Sequence, residues 1–563
     1  MNKNYSYSQH NLIEIDSYIH TLHKEVTITG NKLTIPEIIS VASGKAKTSF
    51  TQDKKIIDRI KETYRHMMKD VENGIPVYGC NTGYGARASR VLIDGTKKER
   101  VKIAREMSEG IVHVDVSVGP QFDKEVVRSA ILIRINMLMQ GVSAVKLEDL
   151  EKYRQLLNNF ITPVVNQYGG IGASGDLAHN GRVLSALRQI PGTKVFDAYG
   201  NLRQASDALK EVGIEPLKLD PKAGLGFVNG DNFSNSLAIS LAVNTLEVFL
   251  LSTVLGAMVI EVLEGTDRSF HPLLAAVRPH NGQKELAMLY RYLLNGSKLA
   301  YQEMTGHTIR PKGIKVQDVY SLRCIAQYQG VNVEKIKHIF DILTVNANAV
   351  SDNPLWVPPE FVTHGEKPWQ WVSGGNFIAS HMVDAMDNLR KVLTHIVKLN
   401  DRHLARMVNP YENNRLTANL SDKAAITQCV FKGVQIQSGM FDVYSSLLSI
   451  PVSTFFGIHE EGNQDITSHA LTSGIFGLEN LRITRYSVAQ NLMAVAQGVD
   501  LRGGPKYLSP QTRPMYEFIR ERVDYIKKEK PLYNDIETIY QSIISGEMID
   551  YLRRKIFNNF YGF

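Results

Sequence analysis

Residues 169–177 read Gly-Gly-Ile-Gly-Ala-Ser-Gly-Asp-Leu, a block whose residue types could do chemistry in more than one way. Gly170-Ile171-Gly172-Ala173-Ser174-Gly175 satisfies the GxGxxG spacing of a dinucleotide loop, with Asp197 about 22 residues further on. That use requires a preceding strand within a βαβ series. The approach, FITPVVNQY, carries Pro163 and few strand formers, and no such series follows. A glycine-rich turn that merely opens a helix, with Asp176 near its positive end, is the plainest structural alternative. The remaining reading uses the backbone itself. If the Gly175 amide nitrogen reaches the Ala173 carbonyl, a ring closes, and glycine suits the approach because it has no side chain. Dehydration, including loss of the Ser174 hydroxyl, then leaves an exocyclic methylidene, an electrophile that no coded side chain provides.

Such a loop must be held by rigid elements. Apolar periodicity predicts helices over 54–73, 97–111, 124–139 and 147–160, and another from the glycine block to about residue 190. The run EVTITGNKLTI (25–35), broken by Gly30-Asn31, predicts a β-hairpin. The turn-rich stretch 192–219, with its strand-like TKVFDAYGNLR, marks a boundary. Beyond it, 232–263 contains no proline and one glycine, enough for roughly 30 residues and 45 Å of helix. Residues 382–407 and 475–499 look similar. Long apolar faces must be covered by other long elements. The expected architecture is therefore mainly α: an N-terminal domain (1–220) carrying the loop, a central long-helix bundle (221–500) and a C-terminal helical segment (501–563).

The 563-residue chain carries 64 Lys+Arg against 57 Asp+Glu, a mild excess without a dense basic run, which argues against nucleic acid as a partner. Cys80, Cys324 and Cys429 are far apart and form no disulfide framework or Cys-rich metal site. The polar N-terminus lacks the apolar core of a secretory signal. The uncharged run from Val248 to Ile260 is shorter than the roughly 20 residues of a membrane span. These features lead us to expect a cytoplasmic protein with no membrane partner.

Further blocks surround the glycine motif: VYGCNTGYG (77–85), FVNGD (227–231), QDVYSLRC (317–324), SDNPL (351–355), SGGNF (373–377) and EEGNQD (460–465). In this order and spacing the chain, from about residue 30 to 525, resembles the aromatic amino-acid ammonia-lyases and aminomutases that use a 4-methylidene-imidazol-5-one cofactor. FHPLLAAVRPHNGQ and AVAQGVDLRGG make it most similar to their phenylalanine-type members. The resemblance implies a fumarase/aspartase-like helical fold, with the cofactor formed autocatalytically from Ala173, Ser174 and Gly175 and no metal or nucleotide. It implies non-oxidative elimination of ammonia from tyrosine or phenylalanine to give coumarate or cinnamate, a carbon–nitrogen lyase reaction, or a 2,3-aminomutase reaction on the same scaffold. It further implies a homotetramer with active sites shared between subunits.

By the same resemblance, Tyr78 is the base that removes the β-proton. A phenol is a poor base at neutral pH, so a positive environment that depresses its pKa is expected. Asn229, Tyr320 and Phe377 position cofactor and substrate, and Arg323 grips the substrate carboxylate with a guanidinium fork. Gln317, three residues before Tyr320 and six before Arg323, can share their helix face. Leu225, Gln464 and Glu460 line the substrate, the last near its amino group. His113-Val114 falls on the family's selectivity dipeptide. An imidazole can hydrogen-bond a phenol, which points to tyrosine with phenylalanine accepted, whereas Val114 disfavours histidine as substrate. Four departures stand out: Ala178-His179-Asn180-Gly181 where Pro-Leu-Ser is usual, Asp231 for threonine, Tyr84 for phenylalanine, and a short run between Arg310 and Gln317.

Overall fold

The computed structural model describes residues 5–562 apart from 173–175, 307–314, 426 and 456. Its frame consists of helices. α1 (Lys124–Leu138) is buried on nearly every face, and α2 (Leu177–Leu187) follows the glycine block. α3 (Ala223–Val228) is a short turn of helix leading into α4 (Asn232–Val262). α5 (Ile325–Ala347), α6 (Ser380–Val408), α7 (Lys432–Leu448) and α8 (Ala470–Leu501) complete the bundle. α6 packs along α8, and α4 lies against both.

The long elements form where the sequence predicts them, because each has helix formers throughout and no internal proline. α4 is apolar all round, so it is surrounded rather than amphipathic. It is long and apolar enough to cross a membrane, but here that apolar length is buried among α1, α5, α6 and α8. Buried hydrophobics from Tyr7 to Phe560 join in one core around it.

The small sheets correct one expectation. Glu25–Ile28 (β1) does not fold back on itself after Gly30 but pairs in parallel with Lys47–Phe50 (β2). Thr34 and Glu37 form a capping box that starts a helix at Ile35, and this helix carries the chain across to the parallel partner. Among the described residues no βαβ series surrounds the glycine block: the strand before it, Asn166–Tyr168, pairs antiparallel with Val118–Gln121.

Candidate active site

Ala173, Ser174 and Gly175 lie outside the described residues, but both flanks of the tripeptide are fixed. The Ile171 carbonyl accepts the His469 N–H at 2.8 Å. The Gly172 carbonyl accepts the Ala379 N–H at 3.3 Å and the Ser468 hydroxyl at 3.1 Å. On the far side, the Asp176 N–H donates to the Gly230 carbonyl at 2.6 Å. The Asp176 carboxylate accepts the Ser234 N–H and hydroxyl at 2.7 and 2.8 Å, capping α4 from another segment. Burial pushes this carboxyl up to about 7, even against the Ser234 donors that favour its charge. Gly172 has φ +71, and a Cβ there would overlap the Ser468 hydroxyl.

Tyr78 lies on a segment held by its own side chains: Asn81 Oδ1 accepts the Val77 N–H at 2.7 Å. The Tyr78 hydroxyl accepts the Gly85 N–H at 3.0 Å. Gly85 has φ +55, and a Cβ there would overlap the Glu460 carboxylate, so Glu460 lies directly against this donor. The environment corrects the expected depression of the phenol. Burial raises the Tyr78 pKa, Gly85 alone opposes it, and the Glu460 charge raises it further. Among the described residues no cation offsets the desolvation. Gln464 follows in the same loop, its N–H bonded to the His459 carbonyl at 3.1 Å.

Leu225 reaches the Tyr78 loop from α3, close enough that a Cβ on Gly79 would overlap its methyl. Val114 packs against Gly181 of α2. His113 is exposed, its ring 6.5 Å from that of Tyr84, whose hydroxyl donates to the Met107 carbonyl at 3.2 Å. His113 Nδ1 lies 2.9 Å from the Gly110 carbonyl. A carbonyl only accepts, so Nδ1 carries the proton and Nε2 of the neutral ring keeps a lone pair. Asn229 is buried at the end of α3, next to Gly230. Phe377 precedes the Ala379 contact by two residues.

Gln317, Tyr320 and Arg323 are brought to one another but not to these groups. They line a cleft of about 740 Å³ with Arg402, Arg406 and Glu412. The Arg323 guanidinium stacks 4.7 Å over the Tyr320 ring, and its Nε is buried without a partner among the described residues. The cleft lies at the C-terminal end of α6, whereas the Gly172 contact lies at Ala379, just before its N-terminal end. From 379 to 405 the helix runs about 39 Å at 1.5 Å per residue.

Two departures are accommodated by the interior. His179 is buried and bonds through Nε2 to the Gln167 carbonyl at 3.1 Å, with burial pushing its pKa down to about 4, so it is neutral. Asp231 accepts from Asn346 Nδ2 at 3.1 Å and is pushed up to about 6 by burial. The shortened run after Arg310 falls largely outside the described residues. Ala379, Ser468 and Gly85 were not singled out from the sequence. Ala379 and Gly85 act through backbone groups or space and Ser468 through its hydroxyl, and only their nearness in sequence to the motif blocks could have pointed to them.

Comparison with known proteins agrees with this architecture. The sequence model of the aromatic amino acid lyase family matches residues 33–521. A histidine ammonia-lyase from Treponema denticola is 31% identical over 94% of this chain and 98% of its own. A phenylalanine ammonia-lyase from Nostoc punctiforme is 30% identical over 88% and 87%. Overall identity therefore does not choose between their substrates. The solved tyrosine aminomutase of Streptomyces globisporus superposes with a TM-score of 0.83 at 27% identity, covering 94% of this chain and 99% of that one. The shared helical fold is that of the fumarase/aspartase-like superfamily. By this match along nearly its whole length, the chain belongs to the aromatic amino acid lyase family and is a carbon–nitrogen lyase.

Proposed function

We propose that the protein is an ammonia-lyase acting on tyrosine, with phenylalanine as a poorer substrate, and that it builds its own electrophile from Ala173, Ser174 and Gly175. One observation carries this reading. The segments that grip the two flanks of the tripeptide are the segments bearing Asn229, Phe377 and Gln464, and Glu460 leads from the last of these to Tyr78. The buried Asn229 Oδ1, with no partner among the described residues, fits a polar group lodged there. Bonding of the Gly175 nitrogen to the Ala173 carbonyl carbon expels one water, and loss of the Ser174 hydroxyl with its α-hydrogen expels a second. The group so formed supplies an electrophilic carbon that makes the substrate amine a better leaving group.

The chain's own residues then divide the work. Tyr78 takes the β-proton as the carbon–nitrogen bond breaks, leaving the acrylate and ammonia. His113 Nε2 accepts the substrate phenol, which supports tyrosine. The cleft sets Arg323, Arg402 and Arg406 against Asp318 and Glu412, an excess of positive charge that suits the substrate carboxylate. Because it lies so far along α6 from the Gly172 contact, the reading requires that a second subunit bring it to the electrophile. α7 offers a surface for that assembly: Ile436, Met440, Val443 and Leu447, spaced four, three and four apart, are each more than half exposed. A homotetramer with shared sites fits both features.

The test pairs intact mass with ultraviolet assay. Wild-type chain should weigh two waters, about 36 Da, less than its sequence, and Ser174→Ala should lack that change and be inactive. Tyrosine should give a conjugated acrylate faster than phenylalanine or histidine, and histidine as the best substrate would overturn the assignment. A second reading, a 2,3-aminomutase, is supported by the full-length likeness to the tyrosine aminomutase. β-Tyrosine accumulating beside coumarate would establish it.

A further inference from the structure

Helix α3, which carries Leu225 and ends at Asn229, is too short to hold itself. It has no capping side chain, and Lys222 before it adopts φ +68, a left-handed conformation that side chains avoid. One carboxylate holds both of its ends instead. Asp352 Oδ2 accepts from Lys222 Nζ at 2.7 Å, and Asp352 Oδ1 accepts from Asn229 Nδ2 at 3.2 Å. The Lys222 and Asp352 side chains are completely buried. Withdrawing two charges from water offsets much of their attraction, so stability alone is a weak account of the pair.

The pair fixes an orientation. The two hydrogens of Asn229 Nδ2 have acceptors in Asp352 Oδ1 and in the Asn353 carbonyl, also at 3.2 Å. Neither oxygen can donate, so the amide cannot turn over without losing both bonds. Its oxygen is left buried and without a partner among the described residues, on the residue preceding Gly230, whose carbonyl holds the tripeptide's exit. We propose that Lys222 and Asp352 are a positioning pair: Lys222 orients the Asp352 carboxylate, which locks Asn229 so that its amide presents an acceptor to the reacting groups. This inference rests on the lyase reading and adds two residues to it.

Two neutral double variants separate orientation from charge. K222M/D352N keeps an oxygen that can face Asn229, whereas K222M/D352L keeps bulk and removes the acceptor. With turnover normalised to chain bearing the two-water mass loss, K222M/D352N should stay within about tenfold of wild-type kcat. K222M/D352L should lose about 100-fold in kcat while KM moves by less than about threefold. Equal kcat in the two variants, or a loss confined to KM, would overturn the proposal. If the leucine chain does not fold, Asp352→Asn alone replaces it. There Lys222 claims the new amide's oxygen and Asn229 meets a donor, so kcat must fall below that of K222M/D352N, and a value equal or higher would overturn it. A wild-type chain of unchanged mass would sink the cofactor reading by itself, whereas equal turnover in the variants sinks only this one.

Discussion

Tyr78 has one N–H donor favouring its ionised form, while burial and a neighbouring carboxylate disfavour it. If this phenol is the base, its ionised fraction grows with pH, so kcat/KM should rise along a limb set by its raised pKa. The Glu460 charge contributes to that rise, and removing it lowers the pKa. Glu460→Gln should therefore move the limb toward lower pH, whatever it does to the height of the plateau. A pH profile of kcat/KM for both chains checks this, and a limb that stays or moves upward would mean that another group titrates. VYGCNTGYG pointed to Tyr78 as the candidate base, but its electrostatics were not legible there. They depend on Glu460, nearly four hundred residues away in sequence, and on a glycine that gives its N–H to the phenol and leaves room for that carboxylate.

At the scale of elements, the long helices were readable because nothing interrupts their helix formers, and mutual burial is the only outcome for faces that apolar. The β1–β2 pairing was not, because Gly30-Asn31 signals a turn without naming the strand that follows. The capping box at Thr34 decided the matter by starting a helix there. The loops of the candidate site depend on details of this local kind. Gly85 needs a positive φ, holds the N–H that bonds Tyr78, and leaves the space that Glu460 fills. Gly85→Ala should leave the helical frame intact, with its thermal midpoint within a few degrees, since this loop lies outside the bundle. It should cost about 100-fold in kcat, because a Cβ displaces the carboxylate and strains the backbone that carries the donor. Circular dichroism melting and steady-state kinetics on the same preparation separate the two effects, and wild-type turnover would remove Gly85 from the site.

At the scale of the whole molecule, the two groups of candidate residues lie along α6 with most of that helix between them. No reading of one chain's sequence could show this, because blocks that follow in order along a sequence need not meet in one fold. On the proposed reading neither group is complete among the described residues: one has Tyr78, Asn229 and Glu460 without a carboxylate anchor, and the other has Arg323 without a base. Assembly resolves this if each site takes Tyr78 from one subunit and Arg323 from another. Tyr78→Phe and Arg323→Ala homo-oligomers should each be nearly inactive, since every site in either lacks one of the two. Co-expressed in equal amounts with random assembly, they should regain about a quarter of wild-type activity, because about one site in four draws both intact residues. The recovery should disappear when Val443→Lys, placed on the exposed stripe of α7 in both chains, prevents association as seen by light scattering. Sites contained within single subunits could not complement at all, so a mixture no more active than its two parts would rule out sharing between these residues.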